Sequence, residues 1–403
     1  MLYARNHTEC AKALNKRSNK SQASATHKAS HPFNVRTLCF NRVMSETMCQ
    51  IFFVNGFGLP LFAQRLAEHG GIRLTGITAQ TDAVLAEAIL AQSHVYQVSS
   101  GVNDLPVHYR VAAQLLDRTP ALLMVSTIGA GYDTVDLAEC TRRGIAVVNQ
   151  SGGANAQAVV EHTLAMMLAL GKRIVDADRH TRRTPALVRG HFAGRNMYGK
   201  TLGLVGFGQV GKRMAALCAQ AFGMRVLVLS QHAQPAELAQ CGAEKAALPE
   251  LMKRSDYVVV CCALTPQSKG LIGAQELAWM QAHAYFVTTA RAGIHDEAAL
   301  IDALTNRRIA GAGIDVWDVE PPPLDHPLLR LDNVIATPHI AGATIESRTH
   351  ASELAAQQIL QALAGQRPPQ LLNPEVWPVF RQRLAQAFPE RATAFIGTAQ
   401  ETK

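Results

Sequence analysis

From Gln50 onward, short runs rich in β-branched residues alternate with longer stretches whose apolar positions recur every three or four residues. "QIFFVNG" (50–56) reads as a strand, and "LPLFAQRLAEHG" (59–70) as a helix ending on Gly70 and Gly71. "SHVYQVSSG" (93–101) and "ALLMVSTIGAG" (121–131) follow as strands, each running into a glycine-containing loop. "TVDLAECTRRG" predicts a helix and "IAVVNQSGG" another strand. Strands separated by helices imply a parallel sheet covered on both faces, and place a first domain at residues 49–150.

The stretch "NAQAVVEHTLAMMLALGKRIVDADRHT" (155–181) has few breakers before Pro185, and Val159, Thr163, Met166, Met167 and Leu170 recur near helical spacing. It predicts one long connector helix with an apolar face suited to a dimer surface. A second series then begins: "TLGLVGFG", "RVLVLS", "YVVVCCAL", "AYFVTTAR", "AGAGIDVW" and "NVIATPH". Six strand candidates spaced by helices predict a doubly wound sheet of the dinucleotide-binding kind, spanning residues 151–338 with the connector. The helix "TIESRTHASELAAQQILQALAG" is expected to return to the first domain, so that residues 339–403 complete it. The expected fold is α/β, with two Rossmann-like domains and doubly wound parallel sheets. In it the dinucleotide-binding domain is inserted into a discontinuous substrate domain. Past Asn373 no pattern stands out.

Length and composition agree with this division: 403 residues exceed one ordinary core, and 48% apolar against 17% charged residues is a globular balance. The net charge of +8 suggests a nucleic-acid binder until it is located. Residues 1–44 hold eight Lys and Arg against Glu9, so +7 lies there and the body is nearly neutral. No nucleic-acid or membrane partner is therefore expected. Residues 1–48 read as a disordered basic tail: an organelle transit peptide, or an upstream extension with the working protein starting near Met44 or Met48. The apolar run that starts immediately afterwards favours the extension. Eight scattered cysteines form no CxxC pair, which gives no metal site and points to a reducing, cytoplasmic compartment.

"TLGLVGFGQVGKRMAALCAQAFG" places Gly206, Gly208 and Gly211 between an apolar strand and an Ala-rich helix. In that context the glycines serve a tight turn, close approach to a pyrophosphate, and close helix–strand packing. The free N–H groups at the helix start would hold the phosphates. A carboxylate is expected about 20 residues on, to bind the adenosine ribose. Here the strand ends on Ser230, Gln231 and His232, with nothing to repel a 2′-phosphate. That favours NADP over NAD, or a relaxed preference. Against it, no Arg follows Ser230, and Lys212 and Arg213 point along the helix.

"TTARAGIHDEAAL" (288–300), "AGAGIDVWDVEPPP" (310–323) and "NVIATPHIAGAT" (333–344), with the glycine loop, resemble the NAD(P)-dependent D-2-hydroxyacid dehydrogenases. That family includes glyoxylate/hydroxypyruvate reductases and phosphoglycerate dehydrogenases. "STIGAGYDTVDL" and "AVVEHTLAMMLAL" extend the resemblance over residues 50–377. It implies an oxidoreductase passing a hydride between NAD(P)H and a small 2-oxo or 2-hydroxy acid, as a homodimer. The substrate-binding arginine falls on Arg291, whose planar fork suits a carboxylate held by two parallel hydrogen bonds. The acid/base falls on His339, and its carboxylate partner on Glu320.

The cofactor would be held by the loop of Gly206, Phe207, Gly208, Gln209, Val210 and Gly211, by Ser230, Gln231 and His232, and by Ala263 and Leu264. The resemblance adds Thr289, Ala290, Arg291, Asp315, His339 and Gly342, with Asp315 on the nicotinamide carboxamide. Ser100, Gly101, Ala130, Gly131 and Asn155 would join Arg291 around the substrate, while His162 is read as structural. Two positions depart from the family pattern. Ala292 stands where Gly is usual and would trim the site or shift Arg291, and Ala263 stands where Pro is common. Two other readings stay open: an NAD(H)-sensing corepressor-type binding protein, and a phosphite or formate dehydrogenase. Glu320 speaks against formate, whose oxidation releases no alcohol proton.

Overall fold

The computed structural model describes residues 48–55, 60–101, 104–151, 153, 155–185 and 189–389. The basic tail and the last residues of the chain lie outside this set, and so do the expectations placed on them. Within it are two parallel sheets, each with helices on both faces. The first has the order β2-β1-β3-β4-β5. Its strands are β1 (Cys49–Val54), β2 (Ile72–Ile77), β3 (Val95–Val98), β4 (Met124–Thr127) and β5 (Ala146–Val148). The second has the order β12-β11-β10-β9-β6-β7-β8. It is built from β6 (Thr201–Val205), β7 (Arg225–Leu229), β8 (Ala243–Lys245), β9 (Tyr257–Val260), β10 (Tyr285–Thr288), β11 (Gly311–Ile314) and β12 (Val334–Ala336). The order reverses beside β6, so the crevice between β6 and β9 is the switch point at which open α/β sheets bind ligands.

Alternation along β6 shows how the second sheet buries both faces. Leu202 and Leu204 pack with Met166, Met167 and Met214 on one side. Val205 joins Val258, Phe286 and Leu300 on the other. In the first sheet, Ile51, Met124 and Ala146 share a core with Ile359, Phe380 and Leu384. The helices Ile345–Leu363 and Trp377–Ala387 therefore cover the first sheet, although two hundred residues separate them from it in sequence. Asn373 stitches the same junction: its side chain accepts from Val147 N–H at 2.9 Å and donates to Ile145 O at 2.9 Å.

Several elements differ from the sequence reading. The connector is two helices, Ala156–Gly171 and Ile174–Thr181, broken where Arg173 takes a left-handed φ of +53°. Gly171, the last residue of the first helix, is the local mark of this break. Of the expected apolar face, Thr163, Met166, Met167 and Leu170 are buried in the chain's own core and Val159 is half-buried, so most of it is spent within the chain. β2, the short edge strand β8 and the helix Trp377–Ala387 had no clear pattern; β2 is half-buried through most of its length, so its alternation is weak. No described helix is long and apolar enough to cross a membrane.

Candidate active site

The glycine loop links β6 to the helix Gln209–Phe222. Gly206 has φ +116°, and a Cβ there would stand 2.7 Å from Cys262 N, so the loop is pressed against the end of β9. A Cβ on Gly211 would stand 2.5 Å from Gly206 O, which is the close helix–strand contact expected of the third glycine. Gly208, at the helix N-cap, faces open space. The loop therefore presents free helix N–H groups to a space that admits a phosphate, and the residues fit a dinucleotide. The Phe207 ring is buried in the core, which leaves only its backbone available to a ligand. Gln209 and Val210 open the helix beside it.

Beyond β7, Ser230 Oγ accepts from His232 N–H at 3.3 Å and Ala233 N–H at 3.2 Å, shaping the turn that leaves Gln231 and His232 exposed. Lys212 does not reach this turn as a free cation: its Nζ pairs with Glu237 Oε1 at 2.5 Å. Arg213 lies instead toward Gly153, its Nη2 3.4 Å from where a Cβ of that glycine would be. Ala263 and Leu264 are exposed after β9, and Ser268 Oγ donates to Ala263 O at 2.7 Å. Thr289, after β10, is buried with its hydroxyl 3.1 Å from that of Thr163.

The turn after β10 carries Arg291. Its Nε–H donates to Asp133 Oδ2 at 3.0 Å, and Nη1–H donates to Ala290 O at 2.8 Å. Of the five guanidinium donors, three remain, all on the Nη end. The side-on edge through Nε is thus taken by Asp133, and the donors left for an anion are at the Nη end. The left-handed residue of this turn is Gly293 (φ +75°), not Ala292, so the alanine brings no backbone strain to Arg291. Nη2 lies against Gly131 so closely that a Cβ there would overlap it, and the same Cβ would stand 3.2 Å from Ser100 Cβ. Ser100, Gly131 and Arg291 therefore converge. The two loops are tied together by Thr134 Oγ1 donating to Ser99 O at 2.6 Å. Asn149 Nδ2 donates to Ala130 O at 2.8 Å, fastening this loop to the segment that leads into the second sheet. Asn155 packs on Gly342, its Nδ2 2.9 Å from where that residue's Cβ would be, so these two meet at the junction of the sheets.

His339 follows β12 in a left-handed conformation (φ +55°) that costs a non-glycine residue of order 1 kcal/mol. Asp315 holds that turn. The carboxylate is fully buried and accepts from Ile340 N–H at 2.8 Å, Ala341 N–H at 2.9 Å and Thr337 Oγ1–H at 2.6 Å. Thr337 Oγ1 in turn lies 3.1 Å from His162 Nε2; with its proton directed to Asp315, it accepts from the imidazole. Asp315 thus braces the chain that carries His339. His162 braces it from the connector.

Glu320 orients the His339 ring. Its Oε2 lies 2.9 Å and its Oε1 3.1 Å from Nδ1, and Trp317 N–H donates to Oε1 at 3.1 Å. The Glu320 hydrogen bond raises the His339 pKa above the ordinary imidazole range, against burial and the nearby Arg291 charge. Burial pushes the Glu320 carboxyl up, but the bond and charge of His339 outweigh it and hold the group below its usual value. Arg291 acts electrostatically on both, so the three groups share one field. His339 Nε2 has no hydrogen-bond partner among the described residues, and the side chain is 36% exposed. Asp133, Thr337 and His162 are the parts that sequence patterns did not assign to this site; each lies in a quoted motif, but nothing local marks the distant partner it meets.

Comparisons with known proteins accord with this geometry. Residues 164–341 match the NAD-binding domain model of the D-isomer specific 2-hydroxyacid dehydrogenases. A glyoxylate reductase from Korarchaeum cryptofilum is 36% identical over 269 residues, covering 66% of this chain and 80% of that one. A D-3-phosphoglycerate dehydrogenase from Mycobacterium leprae is 37% identical over 263 residues, covering 65% of this chain and 49% of that one. Among solved structures, the D-lactate dehydrogenase of Aquifex aeolicus, complexed with NAD and lactic acid, aligns with a TM-score of 0.67 at 25% identity, over 78% of this chain and 96% of that one. With an NAD(P)-binding switch point, and with an arginine, a histidine and a glutamate gathered at the strand ends, the chain belongs to the D-isomer specific 2-hydroxyacid dehydrogenase family.

Proposed function

We propose that Arg291, His339 and Glu320 reduce a small 2-oxo acid to its D-2-hydroxy acid in the cleft between the two sheets. The observation that carries this reading is the His339 ring, anchored at Nδ1 by Glu320 with Nε2 left for substrate. Arg291 binds the carboxylate through its Nη donors and, by charge, polarises the neighbouring carbonyl. Bound NAD(P)H supplies the hydride to the carbonyl carbon. His339, as imidazolium, gives its Nε2 proton to the developing alkoxide and is left neutral, while Glu320 keeps the ring in place. Ser100, Gly101, Ala130, Gly131 and Asn155 wall the substrate. Closure of the cleft excludes water from the transfer. A homodimeric assembly belongs to this reading on resemblance alone.

The test is a panel of glyoxylate, hydroxypyruvate, pyruvate and a branched 2-oxo acid with NADH and NADPH. Oxidation of either nucleotide with at least one acid is expected; none with any would overturn the proposal.

The cofactor is NADP in preference to NAD. This is supported by the turn at Ser230, Gln231 and His232, which offers no carboxylate to repel a 2′-phosphate. Ser230→Asp keeps an acceptor for the His232 and Ala233 N–H groups, so the turn survives and only the charge changes. The ratio of NADPH to NADH in kcat/KM should fall by about tenfold or more, as one added charge within ~5 Å of a phosphate dictates. An unchanged ratio would show that this turn does not select the cofactor.

A further inference from the structure

The walls around Arg291 also carry information about the tail of the substrate. The segments 99–104 and 128–133 contain no Lys or Arg, but they contain Asp104 and Asp133. Asp133 already neutralises Arg291 at its Nε edge. Asp104 accepts from Ser99 Oγ at 2.7 Å, and its Oδ2 lies 2.5 Å from where a Cβ of Gly101 would be. Its carboxylate therefore covers Gly101, on the loop that meets Arg291 through Ser100 and Gly131, and it has no basic partner among the described residues. The first carboxylate of a 2-oxo acid can be held by the Nη donors. A second anion on the tail would meet Asp104 and Asp133, with no cation supplied by either loop.

Resting on the reading above, we propose that the substrate is a 2-oxo monocarboxylate with an uncharged tail. Phosphorylated and dicarboxylic 2-oxo acids are refused by Asp104 and Asp133. At a half-exposed site, like charges about 6 Å apart change affinity by roughly tenfold, and a dianionic phosphate by roughly a hundredfold.

The test compares kcat/KM for hydroxypyruvate with that for 3-phosphohydroxypyruvate and oxaloacetate, in the full-length protein and its Asp104→Asn and Asp104→Arg variants. Hydroxypyruvate is expected to exceed the phosphorylated acid about 100-fold. Asp104→Asn should narrow that gap about tenfold, and Asp104→Arg further. Wild-type values within tenfold of each other would overturn the charge selection and leave the dehydrogenase reading intact. A gap that neither variant narrows would overturn the assignment to Asp104. Loss of every turnover in the wild-type protein would overturn both.

Discussion

His339→Asn is expected to lower 2-oxo acid reduction about 100-fold or more, while NAD(P)H binding changes by no more than a few-fold. The scale is that of losing a positioned general acid. Asparagine is chosen over alanine because residue 339 sits at φ +55°, a conformation asparagine tolerates, so strain is not added to lost chemistry. Its amide can still reach Glu320, which keeps that carboxylate partnered. The pH profile supplies a second readout. Reduction needs the imidazolium; it is therefore at its plateau below the raised His339 pKa and falls as pH rises through it. Oxidation of the 2-hydroxy acid needs the neutral ring and rises over the same interval. Because the Glu320 hydrogen bond is the main cause of the raised value, Glu320→Gln should move the falling limb of reduction to lower pH. A His339→Asn enzyme with wild-type reduction, or a limb unmoved in Glu320→Gln, would remove this pair from proton transfer.

Arg291→Ala should reduce kcat/KM for 2-oxo acids by roughly 100-fold to 1,000-fold, with cofactor affinity preserved. Two charge-assisted hydrogen bonds to a carboxylate, at roughly 1.5–2 kcal/mol each, the lower part of the range for charged partners, account for that loss. The fold should survive, because Asp133 is 30% exposed and water can replace the lost Nε–H. Arg291→Lys is not a rescue. A lysine ammonium cannot hold Asp133 and Ala290 O while also presenting two parallel donors to the substrate. Steady-state kinetics with nucleotide titrations separate the effects. A loss of nucleotide binding equal to the loss of turnover would place Arg291 with the cofactor instead.

Asp133 bears on both the substrate-tail argument and the arginine, and the two uses are separable. As the Nε partner it limits Arg291 to end-on binding; as a charge beside the cleft it discourages a second anion. The dianionic and monoanionic substrates respond differently to it, whereas a purely structural partner would affect them alike.

Much of this site was written into local sequence. The three glycines lie between a strand and a helix because pyrophosphate binding needs a helix N-terminus approached by bare backbone, and that demand shows as residue spacing. Arg291 and His339 follow strands, and Glu320 lies in the loop after one; in a parallel sheet those ends share one edge, so strand assignment alone brings the three together. The alternating apolar runs of β6, β9 and β10 disclosed a sheet buried on both faces for the same reason. Tertiary structure decided the rest. Asp133 meets Arg291 across 158 residues, and no periodicity encodes a contact between two loops. That Asp315 braces a left-handed turn shows only in the fold, because what an acid binds depends on which N–H groups the fold aims at it. The connector read as one helix, since its apolar spacing continues past Arg173 and the single Gly171 that closes the first piece was not read as a stop. What the chain determined on its own was the chemistry available at each strand end. Which of those groups face a substrate, and which face each other, was settled only when distant loops were packed into one cleft, because hydrogen bonds and charges act through space and not along the chain.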